Sequence, residues 1–225
     1  VDVGHADVEV GLAEWTLERT AGERTETLAL GETLVRVGLT DRLEAQLGWT
    51  AFGQVRERGP AGRSSDSGVG DATLALRRNL ASPDGSGFSA ALMPFATLPT
   101  GNAVLGAGDW SAGLLLPLSY ELPHGLQIGF TGQVSAAADE DRHGRHLAYG
   151  GVAGVSAQLG RSLSATAELS AKRDEDPSGH ATEWLAGLSA GWMANDDLQL
   201  DLGANFGLNE AAPDLQLYAG VSKRF

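Results

Sequence analysis

The last eleven residues, LQLYAGVSKRF (Leu215–Phe225), carry the pattern on which the fold turns. Leu215, Leu217, Ala219, Val221 and Phe225 share one parity; Gln216, Tyr218, Gly220, Ser222 and Arg224 share the other. Successive side chains of a β-strand point to opposite faces, so the segment reads as a strand with one apolar and one polar face. Lys223 is the polar residue on the apolar parity, and at a membrane edge its ammonium can reach water along its own stem.

The alternation recurs over 7–19, 25–39, 43–56, 70–79, 88–98, 110–122, 126–137, 147–159, 163–172, 182–193, 198–207 and 214–225, twelve segments in all. A strand crossing a bilayer at a tilt needs roughly ten such residues. The connections alternate in kind. Thr40-Asp41-Arg42, Pro123-His124-Gly125, Gly160-Arg161-Ser162 and Ala194-Asn195-Asp196-Asp197 are tight, as is, more loosely, Ala81 to Gly87 with its Pro83-Asp84-Gly85 turn. The others are mostly longer and more polar: Arg58 to Val69, Pro99 to Asp109, Asp139 to His146 and Arg173 to Ala181, with 20–24 and 208–213 more modest. Short turns at one end and long loops at the other predict a closed antiparallel transmembrane β-barrel of about twelve strands, a single domain over residues 1–225. An even strand count puts both termini on the short-turn, periplasmic side.

Bulk composition conceals this. Hydrophobic residues make up 42% of the chain and mean hydropathy is −0.11, because every second residue of such a wall faces inward. No run approaches the roughly 18–20 apolar residues of a membrane helix. The absence of cysteine excludes disulfides, thiol nucleophiles and Cys-ligated metals, and a net charge of −13 argues against nucleic acid as a partner.

Aromatic placement is an independent check. Among outward residues Trp110, Tyr149, Trp184 and Phe206 fall near the long-loop ends, and Phe88, Tyr120, Trp192 and Phe225 near the short-turn ends. Two girdles of rings are expected where a barrel crosses the two interfaces. Between them lie Leu126, Ile128, Phe130, Val134, Leu198, Leu200 and Leu202. A soluble β-sandwich or barrel would instead carry polar outer residues and no girdles.

The opposite parity lines the lumen with Glu44, Gln46, Asp71, Arg77, Glu121, Gln127, Gln133, Ser164, Glu168, Lys172, Glu183, Gln199, Asp201, Asn205 and Arg224. Such a wall must be hydrated or paired across the barrel. Fully paired, it is a closed structural interior. Met93, Phe95, Leu115, Val152 and Leu185 share this parity, with Phe52 and Trp15 as further members. Apolar surface among a few fixed polar groups suits small amphiphiles better than ions, and twelve strands enclose a narrow bore. The candidate solute contacts are therefore Met93, Phe95 and Leu115, with Arg77, Glu121 and Glu168 as fixed lumen charges.

Two stretches, GVGDATLALRRNL (Gly68–Leu80) and FATLPTGNAVLGAGDWSAGLLLPLSYEL (Phe95–Leu122), resemble the outer-membrane transporter family of meta-pathway phenol degradation proteins. The shared motifs are Gly68-x-Gly70-Asp71 and Leu98-Pro99-Thr100-Gly101, followed by a loop with Gly106 and Gly108. The resemblance implies an outer-membrane barrel of a Gram-negative bacterium that passes small hydrophobic or aromatic compounds inward, surrounded by lipid and lipopolysaccharide, with no catalytic residues and no cofactor. The closing strand with its terminal Phe225 likewise resembles the C-terminal signal read by the barrel-assembly machinery. In physical terms the motifs are punctuation: glycines free the backbone at a strand's start, and Pro99 ends a ladder. The glycine-rich stretch 101–108 is no phosphate loop, lacking the Gly-Lys-Ser/Thr ending.

Pro94 and Pro117 stand inside adjacent strands of a wall that has no edge. A pair of bulges would accommodate them; the alternative is a weak seam through which an apolar solute could leave sideways. Enzyme readings find little support. His5, His124, His143, His146 and His180 all fall in the N-terminal tail, loops or turns, where no serine–histidine pair can form on the lipid-facing wall. An Asp–His protease at the rim would draw His143, His146 or His180 together with Asp139, Asp141, Asp174 or Asp176. The runs Asp139-Glu140-Asp141 and Asp174-Glu175-Asp176 lack the spacing of a calcium loop, so a solvated acidic rim is expected, with no metal site. The competing function is a structural or adhesive barrel with a closed lumen and ligand-binding loops.

Overall fold

The computed structural model describes residues 1–82 and 86–225, so the Pro83-Asp84-Gly85 turn lies outside the described residues. Thirteen strands follow in order: β1 (Ala6–Thr20), β2 (Glu23–Thr40), β3 (Leu43–Gly59), β4 (Gly62–Gly68), β5 (Ala72–Ala81), β6 (Phe88–Leu98), β7 (Ser111–Leu122), β8 (Leu126–Ala138), β9 (Arg145–Gln158), β10 (Leu163–Asp176), β11 (Gly179–Asn195), β12 (Leu198–Gly207) and β13 (Leu215–Arg224). Each wall strand pairs with its sequence neighbours, β3 pairs with β5, and β1 pairs with β13. The result is a closed, antiparallel, twelve-stranded barrel with one extra strand, β4, held by β3 alone.

The extra strand corrects the expectation of an irregular loop from Arg58 to Val69. β3 runs past the point where β5 leaves it, and its upper half forms a projecting ribbon with β4, from Gly53↔Gly68 to Gly59↔Gly62. GRSSDSG is polar at both parities, so no period-2 signal marks it. A ribbon standing in water on both faces has no apolar side to announce it. The β10–β11 hairpin extends for the same reason, pairing down to Asp176↔Gly179 where a longer loop was expected.

The outer face carries both expected girdles. Trp110, Tyr149, Trp184 and Phe206 are exposed near the long-loop rim, and Phe88, Tyr120, Trp192 and Phe225 near the short-turn rim. Exposed Leu74, Leu76, Leu116, Ile128, Val155, Leu169, Leu188 and Leu202 fill the band between. In water this would be an intolerable apolar surface; against lipid it is the stabilising one. The buried hydrophobics are mostly small: Ala29, Ala75, Ala91 and Ala148 with Leu17. Among the described residues there is no conventional side-chain core.

Directly paired residues share a face, so the inner parity can be followed strand by strand. On β13 the inner set is Gln216, Tyr218, Gly220, Ser222 and Arg224. Their partners Glu9 and Gly11, and beyond a register shift Glu14 and Thr16, are therefore inner residues of β1. The shift between Gly11 and Ala13 reverses parity within one strand. Trp15 then pairs with Leu217, which stands on the outer face, and so is not a lumen residue. Phe52, opposite Leu30, is one of the exposed outer hydrophobics. Both sequence-based placements fail because a single inserted residue flips every side chain after it.

The prolines correct a second expectation. Pairing of β5 with β6 stops at Ala75↔Phe95 and resumes at Arg78↔Leu92; pairing of β6 with β7 stops at Met93↔Leu115 and resumes at Ala90↔Leu118. The register is the same on both sides of each gap, so neither proline sits at a bulge. The missing N–H of Pro94 and that of Pro117 each simply delete rungs, one on either flank of β6. Pro117→Val restores a donor toward β6. It is expected to stabilise the folded barrel by about 1 kcal/mol, seen as a higher urea midpoint in lipid vesicles with an unchanged slope.

Candidate functional site: the lumen and its inward loop

The wall is interrupted between β4 and β5. Coming down from the β3–β4 ribbon, the chain leaves regular pairing at 69–71 and re-enters the wall as β5. Thr73, Ala75 and Arg77 pair with the inner residues Gly48, Gln46 and Glu44, so Asp71 also points inward. Its carboxylate accepts the N–H of Gly101 (2.7 Å) through Oδ1 and that of Ala107 (2.8 Å) through Oδ2. Both donors belong to the loop joining β6 and β7. Around this anchor, Ala72 N–H donates to Thr100 Oγ1 (2.8 Å), Asn102 N–H to the Val69 carbonyl (3.1 Å), and Asn102 Nδ2 to the Ser67 carbonyl (3.1 Å).

The two family motifs are thus one tertiary unit. A Cβ at Gly101 would run into Asp71 and the 69–70 backbone, and one at Gly106 into the Asn102 carbonyl and the same carboxylate. Leu105 packs onto Gly53, whose missing side chain makes the space. Since Gly53 pairs with Ala29, an inner residue by its pairing with Glu14, Leu105 lies on the lumen side. The other flank of the loop is fastened from the β8–β9 connection. Arg142 donates to the Ala103 carbonyl; Arg145 donates to Asp109 (2.6 Å) and the Trp110 carbonyl (2.8 Å), and its guanidinium stacks 3.6 Å from the Trp110 ring centre. The loop therefore folds into the long-loop mouth and is tied down on both sides.

Near the short-turn end the first residues lie against the inner wall. Val3 bridges Gly38, Gly4 N–H donates to the Gly38 carbonyl (3.2 Å), and the Val1 nitrogen is 2.8 Å from Glu44. Arg36 spans Glu44 (2.8 Å) and Glu9 (2.9 Å), and Gln46 donates to Glu44 (2.6 Å). The inner charges here are paired rather than left to water alone.

Between these ends the candidate residues separate into groups. Met93 faces Leu115, and Phe95 lies over Gly113 beside Ala75, forming one apolar patch on β5–β7. Beginning on the neighbouring strand, where Gln133 pairs with Leu115, a cavity of about 260 Å³ is lined by Val152 and Leu185 together with Gln133, Lys172 and Glu183. A neighbouring cavity of about 340 Å³ shares Thr131 and Val152 and reaches Glu168. Arg77 donates to Asn79 (3.2 Å) at the level of Glu44. Glu121 stands at the short-turn rim near the Gly87 N–H, away from the other five. Asp71, expected as a free wall charge, is consumed by the loop. Its role, like those of Asn102 and Leu105, rests on contacts thirty or more residues apart; the close spacing of Gly101 and Gly106 was the available hint. Of the serines near the rim, Ser178 gives its hydroxyl to Glu140 (2.6 Å) rather than to His180.

A closed wall with an apolar outer band, paired charges below and an inward loop above defines a transmembrane β-barrel. The chain belongs to the family described as "Putative MetA-pathway of phenol degradation", which matches residues 1–225. Among solved structures it is similar to the COG4313 outer membrane channel from Pseudomonas putida F1, at 19% identity with a TM-score of 0.80, covering 100% of this chain and 97% of that one. It is also similar to the beta domain of the Bordetella autotransporter BrkA (13% identity, TM-score 0.62, 100% of both chains) and to the NanC porin (9% identity, TM-score 0.60, 97% of this chain and 98% of that one). No functionally curated protein matches the chain in sequence.

Asp71→Ala removes the shared acceptor of Gly101 and Ala107. A hydrogen bond to a charged group contributes about 1.5–3 kcal/mol, so both amides should exchange with solvent at least about tenfold faster. Hydrogen exchange resolved to the 99–110 segment measures this; unchanged protection would mean that the arginine side holds the loop unaided.

Proposed function

We propose that this protein is a passive outer-membrane channel for small hydrophobic or aromatic compounds, not an enzyme, with both termini on the periplasmic side. The observation that carries the reading is the inner apolar patch Met93–Phe95–Leu115, next to Gln133 of a cavity that also holds Lys172 and Glu183. A purely structural interior has no use for a phenyl ring on its inner face, whereas a ring solute gains from burying area against one. The family description and the channel among the similar structures support the same reading. Met93, Phe95 and Leu115 then contact the solute, and Arg77, Glu121 and Glu168 set the field along its path. Partners are lipid and lipopolysaccharide around the girdles, and the assembly machinery at the strand ending in Phe225.

A second reading is a barrel whose lumen stays shut, its loops binding something outside. The fastening of the β6–β7 loop and the placement of residues 1–4 inside the wall favour it. Uptake into protein-containing liposomes separates the two, with protein-free vesicles as baseline. Faster influx of an aromatic acid without faster influx of a small sugar is the expected result. Equal acceleration of both indicates a general pore, and acceleration of neither a closed barrel. With Phe95→Ser and Leu115→Ser together, apolar contact of roughly 1.5–3 kcal/mol per side chain is lost, and the aromatic acid's advantage over the sugar should fall by about tenfold or more.

A further inference from the structure

The expected solvated rim is, at one place, a sheltered cluster. His146 is not in a loop but on β9, and its side chain is 7% exposed. Continuing the β9–β10 register by two residues from Asp174↔Ala148 sets Asp176 opposite His146, and Ala137↔His146 sets Asp139 diagonally across on the other flank. All of them lie on the inner face. His146 Nδ1 is 2.9 Å from Asp139 Oδ1 and 3.3 Å from Asp176 Oδ2, while Nε2 is 2.6 Å from Asp174 Oδ1. The three carboxylates are themselves largely covered, at 12%, 11% and 21% exposed.

Charge and hydrogen-bond needs are both unmet. Lys172 (3.1 Å from Asp174) is the cation paired with these carboxylates, so a neutral imidazole leaves the group strongly anionic. Asp176 accepts the Ser178 N–H (2.7 Å) through Oδ1 and the Glu140 N–H (2.8 Å) through Oδ2, which orients its carboxylate toward the ring. Meanwhile Nε2 of His146 is enclosed and has no aligned hydrogen-bond partner despite facing Asp174. With the proton on Nδ1, the bare Nε2 lone pair confronts a carboxylate.

We propose that Asp139 Oδ1, His146 Nδ1 and Asp176 Oδ2 bind one divalent cation of the zinc type on the inner side of the long-loop rim. Their separations of 2.9 and 3.3 Å are those of neighbouring ligands held about 2.0–2.2 Å from a shared ion. The cation takes the place of the Nδ1 proton. That fixes the tautomer with hydrogen on Nε2, which then has Asp174 to donate to: the carboxylate–histidine–metal arrangement that orients a ligating ring. One imidazole among carboxylates selects a zinc-like ion over calcium, which takes oxygen ligands alone. The bound ion joins the 139–144 loop, which also carries Arg142 and its hold on the inward loop, to the β10–β11 hairpin. Asp174 here is a positioning residue.

The test uses the whole chain, refolded in detergent, stripped with chelator and titrated with Zn²⁺ against a chromogenic competitor. One Zn²⁺ per chain is expected, with Co²⁺ giving the visible absorption of a low-symmetry site. His146→Ala should remove stoichiometric binding. The isosteric Asp139→Asn and Asp176→Asn, which preserve shape where the alanine variant fails to fold, should weaken it at least tenfold. Heat-modifiable migration on gels verifies that each variant is a folded barrel. His180→Ala, a histidine paired with Glu175 away from the cluster, should bind as the parent does. Absence of stoichiometric Zn²⁺ in the parent overturns the proposal. So does equal binding by the His146 and Asp139 variants, or Ca²⁺ binding with an affinity indifferent to His146.

Discussion

Within a bilayer every backbone N–H and C=O must find its partner inside the protein, because the hydrocarbon offers none. The closure of β1 onto β13 follows from this constraint, and so does the inversion of the usual layout, with leucine and tryptophan outside and charge within. It also gives the prolines their significance. Pro94 and Pro117 delete rungs on both flanks of β6 without a change of register, so gaps in the ladder lie beside the apolar lumen patch. The strand that presents Met93 and Phe95 lacks rungs on both of its flanks.

Above the membrane the constraint relaxes, and water satisfies whatever the chain leaves open. There β3 and β4 project as a ribbon, and the wall can be interrupted between β4 and β5. Asp71 turns that interruption into a docking point. One carboxylate gathers two amides from a loop about thirty residues away, and small residues at 53, 68, 101 and 106 let the loop come close. The mouth is shaped by this contact on one side and by Arg142 and Arg145 on the other.

Much of the architecture was legible in the chain. Twelve alternating segments, tight turns between every second pair and two aromatic girdles are local signals, and each follows from a strand that meets lipid on one face. What failed to show were places where that asymmetry lapses. The 62–68 segment is wet on both sides and alternates nothing. Trp15 and Phe52 have the lumen parity on paper, yet face outward, because a register shift at Gly11/Ala13 and the offset of neighbouring strands reverse the count. In the sequence the Asp139–His146–Asp176 cluster shows only as two separate acidic runs and a histidine between them.

By itself, then, the sequence determined an antiparallel barrel, its strand number and which parity meets the membrane, because these depend on residues two apart and on the solvent they face. The tertiary structure alone decided that the Gly-x-Gly-Asp and Leu-Pro-Thr-Gly motifs lock into each other, that the β6–β7 loop turns inward, and that three carboxylates converge on one buried imidazole. Those outcomes depend on register between strands and on contacts across the mouth. Periodicity along a chain contains no information about either.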